Sequence, residues 1–198
     1  MGDDFPQWYD IANLLPSECA SILDIGCGDG RTLGLCPNIP YRAGIDCYSE
    51  AIDQARRNVP GADFRVAMAE SLPFEDAHFD AAVSCVVLPY VNIPVALREC
   101  ARVLRSGAPF YLSIHTWDFI NMRWRHSRPN LAGRVFRAYI TLNGLSFHFT
   151  GKVFRYPLKP SLIESFQTRS GIKRALAAAG FRDIEELPRK VPSFVARR

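Results

Sequence analysis

Apolar positions along this chain come in short bursts whose period alternates. Ser21–Ile25, Arg42–Ile45, Phe64–Ala67, Phe79–Cys85 and Pro109–His115 read as strands. The run Phe79–Cys85 is almost wholly apolar, as expected of a strand covered on both faces. Between the strands the period lengthens to that of a helix. Arg31–Cys36 is a short helix stopped at Pro37, and a helix capped by Ser49 runs to about Asn58, closed by Pro60-Gly61. Val95–Val103 repeats Leu97, Cys100, Ala101 and Leu104 at helical spacing, and Ser170–Ala179 ends at Gly180. Phe181–Leu187 and Ser193–Ala196 predict two closing strands, paired antiparallel. Residues 5–20 predict a helix or a pair of turns. Strand alternating with helix over short connections predicts an α/β fold with a doubly wound parallel sheet.

The alternation breaks at 117–160. Aromatic and basic residues mix there, predicting an inserted lid, helical at first and a β-hairpin from Ser146 to Tyr156. A chain of 198 residues suits a single domain, 1–198, carrying this insertion over a substrate site. Hydrophobic residues at 48% exclude a disordered chain, and no apolar run reaches the roughly 18 to 20 residues of a membrane span.

Net charge changes the picture more than composition does. Residues 1–118 hold 8 basic and 16 acidic residues, a balance of −8; residues 119–198 hold 16 and 4, a balance of +12. Within 119–160 there are eight basic residues and no acidic one, which suits an anionic partner. The six cysteines stand singly, without a C-x-x-C pair, so neither a metal site nor a redox motif is expected. With no basic and apolar leader at the N-terminus, they predict a reducing, cytoplasmic setting.

The chemistry concentrates in Asp24-Ile25-Gly26-Cys27-Gly28-Asp29-Gly30, a strand-to-helix turn. Glycines there let a backbone approach a nucleotide-like ligand, whose polar atoms the loop amides bind. Asp46 ends the next strand, 22 residues after Asp24, where a carboxylate can accept from ribose hydroxyls. A dinucleotide fingerprint would place Gly where Arg31 stands, and no Lys-Ser/Thr pair of a P-loop is present.

This turn resembles motif I of the class I S-adenosylmethionine-dependent methyltransferases. Gly44-Ile45-Asp46-Cys47-Tyr48-Ser49 resembles the family's second motif. Ala69-Glu70-Ser71-Leu72-Pro73-Phe74 is similar to the third, in its small-molecule (type 11) branch. Phe79-Asp80-Ala81-Ala82-Val83-Ser84, Glu99–Gly107 and Ala179-Gly180-Phe181 resemble further elements in order, so that the likeness covers 20–115 and 170–197. It implies a Rossmann-like sheet of seven strands with an antiparallel last strand. It also implies S-adenosylmethionine as cofactor and S-adenosylhomocysteine as product. Asp24, Gly26 and Gly28 would line the methionine part, with Cys27 in the same loop; Asp46 would hold the ribose and Cys47 would flank the adenine. Met68, Ala69 and Glu70 would follow the adenine edge, with Ser84 and Cys85 near the sulfonium. Met68 departs from the family, which often has Asp there. Leu88-Pro89-Tyr90 lacks the His often found after the fourth strand, so no base is inherited.

Candidate groups for the reaction itself are His115, at the carboxyl edge of the fifth strand, and Tyr90. Trp8 and Tyr9 could cap the pocket, and Arg123, Arg125, Arg128, Arg134 and Arg137 could clamp the carboxylate or phosphate of an anionic acceptor. The reading is methyl transfer to a small-molecule acceptor, the basic segment suiting an anionic one. Nucleic acid on that segment is the disfavoured alternative, since Ser84-Cys85-Val86-Val87 lacks the signature of base amino-methylation. A non-catalytic S-adenosylmethionine-binding protein and an anionic membrane surface are further alternatives. The oligomeric state is not legible.

Overall fold

The computed structural model describes residues 11–125 and 130–198. Seven strands form one sheet: β1 (Ser21–Ile25), β2 (Tyr41–Asp46), β3 (Asp63–Val66), β4 (Ala81–Ser84), β5 (Pro109–Ser113), β6 (Arg182–Leu187) and β7 (Ser193–Arg197). Their order is β3-β2-β1-β4-β5-β7-β6. The first five strands are parallel, and β7 runs antiparallel to both neighbours. This is the doubly wound architecture expected, with its reversed last strand.

Helices α1 (Arg31–Gly34), α2 (Ser49–Asn58), α3 (Ile93–Val103) and α6 (Arg169–Ala178) flank the sheet. Strands β1, β4 and β5 are buried along their whole length, because helices cover both faces. One core packs α3 and α6 against Leu23, Phe110 and Phe194; another packs α2 against Ile22, Phe64 and Val83. Between β5 and α6 stand α4 (Trp117–Arg125) and α5 (Leu131–Thr150). Gly144 of α5 has no Cβ because a carbon there would lie 2.1 Å from the Phe166 ring.

Two expectations need correction. Ser146–Tyr156 is not a hairpin: α5 continues through Thr150 and ends at Gly151, whose φ is 72°. Phe147 and Phe149 alternate about His148 as in a strand, but Ile140, Asn143 and Phe147 are buried at helical spacing and Phe149 is exposed. Ser49 is not the cap of α2; Tyr48 is, and its N–H donates to Asp46 Oδ1 at 3.0 Å. Of the stretch 5–20, the described part holds a short 3-10 turn, Ala12–Leu14. Trp8, Tyr9 and Arg128 lie outside the described residues, as do the side chains of Arg123 and Arg125.

Two motifs act as staples. Asp80 Oδ2 accepts from Ser21 N (2.9 Å), Ser21 Oγ (2.8 Å) and Ala20 N (3.0 Å), tying the start of β4 to the start of β1. Arg102 donates to both Glu99 oxygens at 2.8 Å, to Asp76 at 2.8 Å, and to the carbonyls of Phe74 (2.8 Å) and Leu72 (3.0 Å). Glu99 also takes the Leu72 N–H at 2.9 Å. The loop after β3 is thereby fastened to α3. Arg102→Ala strips four donor contacts from partly buried acceptors and one from the exposed Asp76, so urea melts should show a loss of about 3 kcal/mol.

Candidate functional site

The loops that leave β1, β2, β3 and β4 all emerge at the carboxyl edge of the sheet. There they surround a cleft of about 500 Å³. In open α/β sheets this edge, where the strand order reverses beside the first strand, is where ligands bind. Gly26 forms one wall with φ at 75°, a conformation that side chains resist. A Cβ on Gly26 would sit 2.1 Å from Val87 Cγ2, on the loop after β4. The two loops therefore touch only because residue 26 is glycine. Val86, beside it, holds φ at 64°, which is strained for a β-branched residue. Its N–H is secured by Ser113 Oγ at 3.1 Å.

Asp46 spans the mouth of the β1 loop. Its Oδ2 accepts from Gly28 N at 3.0 Å while Oδ1 accepts from Tyr48 N. Each carboxylate oxygen has a second lone pair, so Asp46 can still accept from a diol lying in the cleft. Asp24 is different. It is 1% exposed, and neither oxygen has a hydrogen-bond partner in good geometry. Burial pushes its carboxyl up to about 7; a weak hydrogen bond from the Thr32 side chain, outside good geometry, opposes this, and the negative charges of Asp46 and Asp29 add to it. Ser84 Oγ, at the end of the adjacent strand β4, is likewise buried and unpartnered. A buried carboxylate without a donor in good geometry is costly unless a cation comes to it.

Five of the residues expected to hold a cofactor line the cleft: Gly26, Asp46, Cys47, Met68 and Ala69. Asp24 and Ser84 lie one or two residues behind lining positions, and Gly28 reaches the site through Asp46. Cys27 turns its side chain into the core with Leu33 and Phe64. Glu70 Oε1 takes the N–H of Asn92 at 2.8 Å, pinning the start of α3, and its Oε2 is buried. Tyr90 lines the cleft; His115 is buried behind it, its ring 6.4 Å from Tyr90 and stacked 3.9 Å from Phe119. Cys85 lines the cleft too, and burial pushes its thiol up to about 12, which keeps it protonated.

The far wall was missed from sequence. Ser161, Leu162 and Ile163 close the cleft, just beyond the 117–160 stretch. The chain behind them is buried and polar. Gln167 and His115 exchange backbone and side-chain hydrogen bonds at 2.8 and 3.1 Å, and Ser165 N donates to Pro89 O at 2.9 Å. Asn143 of α5 donates to Glu164 O at 2.9 Å. Burial without alternation, from Ile163 to Gln167, leaves no periodic signal to read.

Residues 23–112 match a family model described as a methyltransferase domain. A solved S-adenosylmethionine-dependent methyltransferase of Methanosarcina mazei superposes with a TM-score of 0.61 at 26% identity, covering 100% of this chain and 99% of that one. Residues 23–112 form a methyltransferase domain of the class I S-adenosylmethionine-dependent type. The uncharacterized methyltransferase YcgJ of Bacillus subtilis is 34% identical over 56% of this chain and 48% of its own length. A fatty-acid O-methyltransferase of Mycolicibacterium smegmatis is 36% identical over 52% of this chain and 40% of its own. The chain thus spans about half the length of the curated relatives it matches. The donor set fits the cofactor its family uses: an orphaned buried carboxylate for an ammonium, and a strand-end carboxylate for a ribose diol. No described helix is long and apolar enough to cross a membrane.

Proposed function

We propose that the chain moves a methyl group from S-adenosylmethionine to a small organic acceptor held between Tyr90, Val91 and the Ser161–Ile163 wall. The observation that carries this reading is the buried Asp24 carboxylate, without a donor in good geometry, beside a cleft of about 500 Å³. Bound S-adenosylmethionine supplies a methyl group on a sulfonium, ready for in-line displacement. The chain's own work is to hold and to exclude. Asp24 pairs with the ammonium, Asp46 accepts from the ribose, and Cys47, Met68 and Ala69 flank the adenine. Met68 cannot accept strongly from the adenine amino group, so the backbone about Ala69 carries that edge. Cys85 stays a thiol and offers no base. Catalysis then comes chiefly from placing the acceptor, an effect of on the order of 7–11 kcal/mol when two reactants are aligned. Tyr90 is the polar side chain placed to orient an acceptor hydroxyl, amine or carbanion, with His115 setting its position from behind.

The largely apolar lining favours a small acceptor over a nucleic acid, which is held mainly by cations on its phosphates. Asp46→Ala should leave the fold intact and weaken S-adenosylhomocysteine binding by about tenfold, the loss of roughly 1.4 kcal/mol. Isothermal calorimetry reads this directly, and an unchanged affinity would refute the pocket assignment. A radiolabelled methyl screen over small acids, amines and alcohols then identifies the acceptor.

A further inference from the structure

Helix α5 is apolar on two faces, and the described residues pack on only one. Ile140, Asn143, Gly144 and Phe147 face inward. On the opposite side Leu131, Val135, Ala138, Leu142, Leu145 and Phe149 recur at alternating spacings of four and three. That spacing draws a straight stripe along a helix about 30 Å long. Its large residues are 41% to 76% exposed. Single exposed leucines are ordinary, but five large apolar side chains in one row are not.

The charges around the stripe are of one sign. Arg134 lies one turn from Leu131 and from Ala138, and α5 contains no acidic residue. At the C-terminal end Phe149 stands at the rim of a second groove of about 460 Å³, whose charged side chains are Arg98, Lys152 and Arg174. This groove is separate from the cofactor cleft and shares no residue with it. An apolar row ending in a cationic groove matches acyl chains lying next to anionic headgroups.

We propose that α5 is a docking face for an anionic lipid bilayer, with the stripe in the acyl boundary and Arg98, Lys152 and Arg174 against phosphate headgroups. The helix lies on the membrane and does not cross it. Charge decides against a second copy of this chain, because a twofold contact would set Arg134 and Lys152 against their own kind across a segment without acids. The aliphatic row decides against nucleic acid, which is bound by stacking and by phosphate contacts and offers nothing to leucines.

The test is flotation of the whole chain with two kinds of vesicle, phosphatidylcholine alone and phosphatidylcholine with about one third phosphatidylglycerol. The chain should float with the anionic vesicles and not with the neutral ones, less strongly at high salt. Leu142→Asp with Leu145→Asp should reduce flotation by about tenfold or more, as should Arg98→Glu with Lys152→Glu. Both pairs are exposed, and unchanged S-adenosylhomocysteine affinity and circular dichroism would show that the fold survives. Absence of flotation, or flotation that both variants leave intact, overturns the proposal. So does a dimer by light scattering that Leu142→Asp with Leu145→Asp dissolves, or release from vesicles by single-stranded RNA that neither variant affects. None of these outcomes depends on which acceptor the cofactor cleft takes.

Discussion

Asp24→Asn should make the protein more stable at pH 8 while costing it the cofactor. The carboxyl ionises near 7 in the folded chain against an ordinary 3.8. Between those values the folded state holds a proton that the unfolded state has lost, so stability falls as pH rises through the window. Above about 7 the whole penalty stands, roughly 4 kcal/mol for a shift of about three units. Asn removes the charge but leaves an amide short of partners, at about 1–3 kcal/mol. Urea melts at about pH 8 should therefore show a net gain of about 1–3 kcal/mol, which should vanish between about pH 4.5 and 6 and turn into a loss below that. Calorimetry should show S-adenosylhomocysteine binding weakened at least about tenfold, since an amide cannot pair with an ammonium. The native chain carries a matching signature. An ammonium pairs only with the ionised carboxylate, so affinity should fall about tenfold from pH 8 to pH 6. A variant less stable than the parent at pH 8, or binding as tightly, would remove Asp24 from the site.

The same residue shows what sequence could and could not give. Its place, two positions before Gly26 at the end of the first strand, follows from the turn motif. Its isolation does not, because that depends on which donors the neighbouring loops bring near. The sheet was legible for a physical reason: helices cover both faces, so each strand is a short apolar run with a turn on either side. Loop chemistry was legible only in part. Glu70 and Asp46 are both acidic residues near strand ends, yet Glu70 turns away to hold Asn92 while Asp46 stays on the cleft. The motifs around Asp80 and Arg102 resemble family elements because they fasten loops, not because they touch a ligand. The hairpin expected at Ser146–Tyr156 failed because two phenylalanines one residue apart suit a strand as well as a helix with one wet aromatic. The split in charge has a partial structural counterpart. Asp24 and Asp46 lie by the cofactor cleft, and cations gather along α5 and in the groove at its end.

Gly26→Ala tests whether the contact between the β1 and β4 loops shapes the cleft. Two costs arise together. An alanine at φ 75° carries about 1 kcal/mol of backbone strain. Its Cβ would also lie 2.1 Å from Val87 Cγ2, and relieving such an overlap costs about 1–3 kcal/mol. Val87 itself lines the cleft, so the relaxation moves it toward the space meant for the cofactor. Stability should drop by about 2–4 kcal/mol, and S-adenosylhomocysteine affinity should fall by roughly a hundredfold, equivalent to about 3 kcal/mol. The clash and the strain can be separated. Val87→Ala deletes Cγ2 and leaves Cβ at 3.4 Å from the new methyl, an ordinary contact. Gly26→Ala combined with Val87→Ala should relieve the clash and keep the strain, a coupling of about 1–3 kcal/mol in a double-mutant cycle. If the two changes simply add, the loops do not press on each other and the wall of the cleft is set elsewhere. If they couple in stability but affinity stays low, backbone conformation at residue 26 governs cofactor binding, and the glycine is required for its φ more than for its size.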